Sequence, residues 1–421
     1  MIFNDIKQHI KEKMQYIDRT YWMLFIALIL VAIIALFSAS SFFVFQEGNS
    51  TLGPILSQMI YIAMGVALAF GLQFVPSKWI RLSGYLGLIV SFILLMLTFT
   101  HLGVEVNGAT RWIKVFGITF QPSELAKLTL IIVVSDLLSR IKTRNDQRKY
   151  FGISICITLI ICGIIFIGNL STAVLLGGVV ILLAFLARVH IKYWGTLVLA
   201  IVAFLVCGYF FINEAYIKTN REMKDGSIME RAITWVGRIN RAIEERKTPD
   251  AEFRITDDNY QSSHAQIAIA RGGKSPVGVL PGNSIQRDIL PQAFADYIFA
   301  IIVEESGIVG AIGLIFLYLS ILFRACLKSS RYADFSAMLM VMGLALMITC
   351  QSLASMMVSV GIIPVTGQPL PMISRGGTSA LITSIYFGII MSVSREQTEL
   401  GALQQAVINE SRDEVPDIVL D

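Results

Sequence analysis

Residues 289–307, ILPQAFADYIFAIIVEESG, place three carboxylates, Asp296, Glu304 and Glu305, at the start of a long apolar run. A carboxylate can serve as a general base or pair with a cation, and either use must justify charge kept in or near hydrocarbon. Read as one helix, Asp296 and Glu304 lie roughly 80° apart viewed end-on, and Glu305 points nearly opposite to Asp296. The 18 apolar residues after Glu305 span roughly 27 Å at about 1.5 Å each, close to a bilayer core. That depth puts Asp296 near the headgroups. Spacing alone leaves two readings level: interfacial acids paired within a bundle, or a functional site.

Three further stretches could carry chemistry. In NGATRWIKVFGITFQPSELAKL, residues 107–128, the segment QPSE opens a helix, with Pro122 suited to its first turn and Glu124 to its positive end. Glu124 and Lys127 share a face there, and a lysine in an apolar helix needs an acidic partner or an anionic ligand. Arg111 and Lys114 add positive charge nearby, although both could simply snorkel at the interface. In GIIPVTGQPLPMISRGGTSALITS, residues 361–384, three prolines and several glycines forbid a continuous helix. Irregular backbone at membrane depth survives where protein or a water-filled cavity satisfies it, so this is a re-entrant turn at a cavity or an ordinary loop. The stretch GNLSTAVLL, residues 168–176, reads as a capped hairpin. No Walker loop, metal-ligand cluster or Ser-His-Asp order accompanies these, and His9, His101, His190 and His264 are scattered.

The elements that must position these residues are membrane helices. The chain has 421 residues, 55% hydrophobic and 15% charged, where a soluble domain carries about a quarter charged residues. Apolar runs near 22–45, 53–75, 82–101, 120–139, 150–168, 171–188, 193–213, 293–323, 333–362 and 376–394 predict ten spans. The first lacks a small-residue cleavage site and reads as an uncleaved span. Cys156, Cys162, Cys207, Cys326 and Cys350 show no ligand spacing and read as buried small hydrophobes. The net charge of +4 gives no sign of nucleic-acid binding.

Alternate loops hold the basic residues: Lys7, Lys11, Lys13 and Arg19; Lys78 and Arg81; residues 140–149; Arg188 and Lys192; Arg324, Lys328 and Arg331. The positive-inside rule then sets both termini in the cytoplasm. The expected class is an all-α polytopic membrane protein with ten transmembrane helices and a large extracytoplasmic loop between helices 7 and 8. Its parts are a cytoplasmic segment 1–20, seven helices in 21–213, the outer loop 214–292, three helices in 293–394 and a disordered cytoplasmic tail 395–421. The outer loop nearly cancels its twelve basic and eleven acidic residues. Within it, 228–246 has the pattern of an amphipathic helix, 247–261 of a flexible connector and 264–270 of a short helix. Segments 102–124, 214–292 and 363–375 all emerge on the outer side.

Together NGATRWI, QPSELAKL, GNSIQ…LPQAFADYIFAIIVEE and PVTGQPLPMISRGG, in this order on ten spans, resemble the shape, elongation, division and sporulation (SEDS) family of FtsW, RodA and SpoVE. The resemblance covers nearly all of 20–395, and GNSIQ is more similar to the FtsW branch. Where members often carry Asp-Leu-Gly-Thr this chain has Asn169-Leu170-Ser171-Thr172; where they read His-Thr-Asp-Phe it has Phe294-Ala295-Asp296-Tyr297; and Ser359 replaces a frequent Asn. The resemblance implies a peptidoglycan glycosyltransferase of the bacterial cytoplasmic membrane, joining lipid II units at its outer face in septal synthesis, with Asp296 as the essential aspartate. It implies a class B penicillin-binding protein transpeptidase and other divisome proteins as partners. On this expectation Asp296 is the general base, and Arg111, Lys127, Arg271 or Lys274 meet the departing pyrophosphate. A Lys127–Asp296 pair keeps the base ionised, with Glu124 and Gln121 orienting the lysine. Gln266, Asn283, Ser284 and Gln286 are candidate substrate contacts, while Glu304 and Glu305 are structural partners. No metal is required, though a divalent cation, Mg or Mn, could sit at the pyrophosphate. Three rivals stand beside this: a lipid II flippase, a RodA-type elongation polymerase and a scaffold that only recruits a transpeptidase.

Overall fold

The computed structural model describes residues 13–39, 52–100, 103–106, 109–115, 118–218, 233, 236–240, 243–244, 254–256, 259–290, 296–364 and 367–413. Helices occupy every one of the ten apolar segments. They are α1 (Arg19–Ala39), α2 (Leu52–Leu72), α3 (Ser77–Leu97), α4 (Pro122–Ser139), α5 (Gly152–Gly168), α6 (Leu170–Leu186) and α7 (Ile191–Lys218). After a short helix α8 (Tyr260–Gly272) come α9 (Ile298–Ser329), α10 (Phe335–Ser359) and α11 (Gly377–Asp413). Among the described residues six helical segments are long and apolar enough to cross a membrane: Arg19–Ser38, Ser77–Leu97, Arg144–Gly168, Ile298–Ser329, Phe335–Ser359 and Gly377–Asn409.

Local chemistry sets the helix starts. Pro122 takes the first turn of α4, Asn169 accepts the Thr172 N–H at the start of α6, and Asp334 accepts the Ser336 N–H at the start of α10. The core is built from α10, α4, α6 and α11. α2 packs on α11, and a side chain at Gly388 would stand 2.9 Å from Leu72 Cβ. α3 packs on α4, where a side chain at Gly87 would stand 2.6 Å from the Thr129 methyl. Small residues permit the close approach on which helix association in lipid depends. The outward faces carry Leu30, Ile34, Leu86, Ile89, Phe316 and Phe323, all exposed, as a lipid-facing surface requires.

Ionic contacts sort to two ends of the bundle. At one, Arg324 and Lys328 meet Asp18, Lys328 reaches Thr398, Arg81 meets Asp334, and Glu396 accepts from the Ser77 backbone. At the other, Arg271 meets Glu304, and Arg287 and Ser38 meet Glu305.

Several expectations need correction. The chain is not all-α: β1 (Gly103–Val106), β2 (Ala109–Val115) and β3 (Ile118–Phe120) form an antiparallel sheet between α3 and α4. The tail is not disordered from 395 onward, because α11 continues through Asp413. No cysteine is fully buried: Cys156, Cys207 and Cys326 are exposed on apolar helices, where lipid rather than protein takes up a small hydrophobe. α9 begins two residues after Asp296 and breaks at Gly307, at φ 67°, ψ −161°, so the single-helix angle between Asp296 and Glu304 does not apply. The short helix expected at 264–270 is α8, which begins at Tyr260 inside the expected connector. Of 228–246, only 233, 236–240 and 243–244 are described, and these are helical; the rest lies outside the described residues.

The break in α9 has a visible cause. Its positive φ frees the Glu304 and Glu305 carbonyls from the helix, and the Val279 and Leu280 N–H groups donate to them, each at 2.9 Å. In return Val309 N–H donates to Pro276 O at 3.1 Å. The Gly/Pro-rich segment 273–285 thus satisfies backbone that lipid could not.

Candidate active site

Asp296 lies in the turn before α9 and is half-buried. Two further segments converge on it. On β2, Val104 pairs with Trp112 but Glu105 pairs with Thr110, so Arg111 is the extra residue of a bulge. Bulges re-aim a side chain. Arg111 Nε donates to the Gly168 carbonyl at 2.7 Å, tying the sheet to the α5–α6 corner. From the loop between α10 and α11 comes Gly367, at φ +63°: a side chain built on it would stand 3.2 Å from Arg111 Nη1 and 3.8 Å from Asp296 Oδ2. An acid and a guanidinium therefore flank one glycine, at a position where no larger residue fits comfortably.

Burial pushes the Asp296 carboxyl above its ordinary range, and the Arg111 and Arg238 guanidiniums partly pull it back. No hydrogen bond or ion pair within 4 Å engages that carboxylate among the described residues. Arg111 and Arg238 are the cations that act on it among the described residues. Arg238 had no signal in the sequence beyond sitting on the predicted amphipathic segment.

Lys127 is elsewhere. Its Nζ donates at 2.7 Å to Glu124 Oε1 and at 2.7 Å to Gln351 Oε1, and all three side chains are buried. The expected Lys127–Asp296 pair is not made, because one turn of α4 puts Glu124 within reach first. Glu124 does orient the lysine, and Gln121 stands buried at the cap of α4. Gln351 also donates to Pro369 O at 3.2 Å, and Tyr318 OH donates to Pro371 O at 2.5 Å. Two carbonyls of the Pro-rich loop, those of Pro369 and Pro371, are thus satisfied by protein side chains. Gln351, missed in the sequence, was legible as a polar residue within an apolar helix. Gln368 of the same loop donates to Thr172 Oγ1 at 3.3 Å.

The candidates of the outer segment have partners in the fold. Ser284 donates to Glu304, which also receives Arg271 at 3.1 Å. Gln286 and His264 share a hydrogen bond of 2.7 Å, Asn283 donates to Val279 O at 3.1 Å, and Gln266 is exposed with its amide against Gly361. Glu305 receives Ser38 and the Gly282 N–H, with Arg287 at 3.8 Å. Glu304 and Glu305 accordingly pin segment 273–290 to the broken helix, and Lys274 is exposed. These contacts give Asn283, Ser284, Gln286 and Arg271 a folding role.

Among the described residues no group of three or more His, Cys, Asp and Glu is arranged to hold a metal ion. Among the described residues, a divalent cation at Asp296 would find one carboxylate opposed by two guanidiniums, a donor set that does not fit it.

Comparison with known proteins agrees with this architecture. The FtsW/RodA/SpoVE family profile, described as "Cell cycle protein", matches residues 18–399. A protein of Enterococcus hirae named "Probable peptidoglycan glycosyltransferase FtsW" is 29% identical over 390 residues, covering 89% of this chain and 91% of its own. "Peptidoglycan glycosyltransferase MrdB" of Escherichia coli is 26% identical, covering 92% and 95%. Among solved structures, a chain from a study of the "structural coordination of polymerization and crosslinking by a peptidoglycan synthase complex" aligns with TM-score 0.68 at 23% identity, over 90% of this chain and 98% of that one. The Thermus thermophilus rod shape determining protein RodA aligns with TM-score 0.60 at 21% identity, over 90% and 97%. With the family profile matched over residues 18–399, the chain belongs to the FtsW/RodA/SpoVE family.

Proposed function

We propose that the protein is a peptidoglycan glycosyltransferase in which Asp296 is the general base. The supporting observation is a half-buried carboxylate under the influence of Arg111 and Arg238, with Gly367 of the loop between α10 and α11 against it. Asp296 takes the proton of the acceptor sugar's 4-hydroxyl as that oxygen bonds to the donor's anomeric carbon. The bond from that carbon to the pyrophosphate oxygen breaks, and polyprenyl pyrophosphate leaves with inversion. A positioned base contributes roughly 10²–10⁴-fold. Arg111 and Arg238, the cations that act on Asp296, meet the negative charge that develops on the leaving group. Lys127 is assigned no part in this step, since its ammonium is buried and held by Glu124 and Gln351.

The same reading sets ten spans in the bacterial cytoplasmic membrane with both termini inside and the Asp296 mouth outside. The alternation of loop charge and the two-ended sorting of ion pairs support it. Lipid II is the substrate, a class B penicillin-binding protein transpeptidase the partner, and septal synthesis the process, the last resting on GNSIQ. The function is tested with purified protein and its transpeptidase in two assays. Glycan strands formed from lipid II support the proposal. Transport of lipid II across proteoliposomes without polymerisation replaces it with a flippase.

A further inference from the structure

We infer that Gln351 is a positioning residue for the Asp296 site, acting through the loop between α10 and α11. Its amide bridges α4 and the loop between α10 and α11. Oε1 accepts from Lys127 Nζ at 2.7 Å, and Nε2 donates to Pro369 O at 3.2 Å. Pro369 is two residues from Gly367, the residue that stands against both Arg111 and Asp296. Lys127 is in turn held by Glu124 at 2.7 Å. The buried ion pair of α4 is thereby the fixed end of a chain that runs Glu124, Lys127, Gln351, Pro369 and Gly367 to the base. Gln351 is buried on α10, where a polar side chain is costly unless both ends are engaged. Both are engaged, and one end is a backbone carbonyl of the loop that covers Asp296.

The inference rests on Asp296 being the base. If Gln351 lets go, the loop moves away from Asp296 and water reaches the carboxylate. Among the described residues, the charged groups that act on Asp296 are Arg111 from β2 and Arg238 from the 236–240 segment. Lost burial lowers the carboxyl toward its ordinary range, while those two cations stay. Gln351→Met keeps the volume and removes both bonds. It lowers kcat by about tenfold, the effect of leaving one buried polar group unsatisfied, leaves KM little changed, and moves the acid limb of the pH profile to lower pH. Gln351→Glu keeps the acceptor for Lys127 but cannot donate to Pro369, so it loses kcat while its melting temperature stays above that of the Met variant. A merely structural glutamine loses activity in step with melting temperature and leaves the acid limb in place; that result overturns the inference. An acid limb that persists in Asp296→Asn instead overturns the base assignment on which it rests.

Discussion

Gly307→Ala should be the most damaging single methyl in α9, and Gly313→Ala, two turns further on, should be harmless. Gly307 has φ 67° and ψ −161°, a region open essentially to glycine alone, and forcing another residue there costs about 1–3 kcal/mol. Its added carbon would also lie 2.5 Å from the Ser275 and Pro276 carbonyl oxygens. Relief requires segment 275–280 to retreat, which breaks up to three hydrogen bonds, Val279 to Glu304, Leu280 to Glu305 and Val309 to Pro276. At about 0.5–1.5 kcal/mol each, these bring the total to roughly 3–7 kcal/mol, against a typical stability of about 5–15 kcal/mol. A side chain at Gly313 meets nothing within 4 Å, and alanine there favours helix by up to about 1 kcal/mol. SDS titrations of the detergent-solubilised protein, followed by helical ellipticity, measure both. If the two variants unfold together, α9 is continuous and the account of how 273–285 satisfies its break is wrong.

Three other outcomes follow from the site. Lys127→Met strands the buried Glu124 carboxylate and should cost about 3–5 kcal/mol, whereas the Glu124→Gln/Lys127→Met double variant should recover most of it; equal losses in single and double variants would show that the pair is not coupled. Arg238→Gln removes a cation that favours the charged form of Asp296. The carboxyl rises further, and because the base works ionised, the acid limb of kcat/KM should move to higher pH; a limb that stays put removes Arg238 from the site. Gly367→Val should abolish polymerisation with little change in lipid II binding, since it crowds Arg111 and Asp296 on a loop whose positive φ already disfavours valine; normal turnover would place the loop away from the reacting groups.

The helices were legible because hydropathy alone marks them: each of the ten apolar runs carries a helix, and six helical segments among the described residues are long and apolar enough to cross a membrane. Their ends were not: Gly307 reads as one glycine among several in an apolar run, and only its contact with 275–276 shows that the helix breaks there. The sheet was missed although ATRWIKV alternates, since Arg111 and Lys114 drew attention as cations and not as strand positions. Asp296 could be singled out by its place above the hydrocarbon and by resemblance. Its neighbours could not, because Arg111, Arg238 and Gly367 come from separate parts of the chain and only folding brings them together. Lys127 was assigned the wrong acid for the same reason: spacing put Glu124 on its face, but the choice between Glu124 and Asp296 depended on three-dimensional reach.

The central claim is that Asp296 removes a proton during glycan polymerisation. Lipid II polymerisation by the protein with its transpeptidase, Asp296→Asn against wild type, tests it most directly. The amide keeps the side chain's shape and lacks only the basic oxygen, so strand formation should fall by about 10²–10⁴-fold, with unfolding resistance equal to or above wild type because a buried charge has been removed. Equal glycan-strand yield from the two proteins would contradict the account.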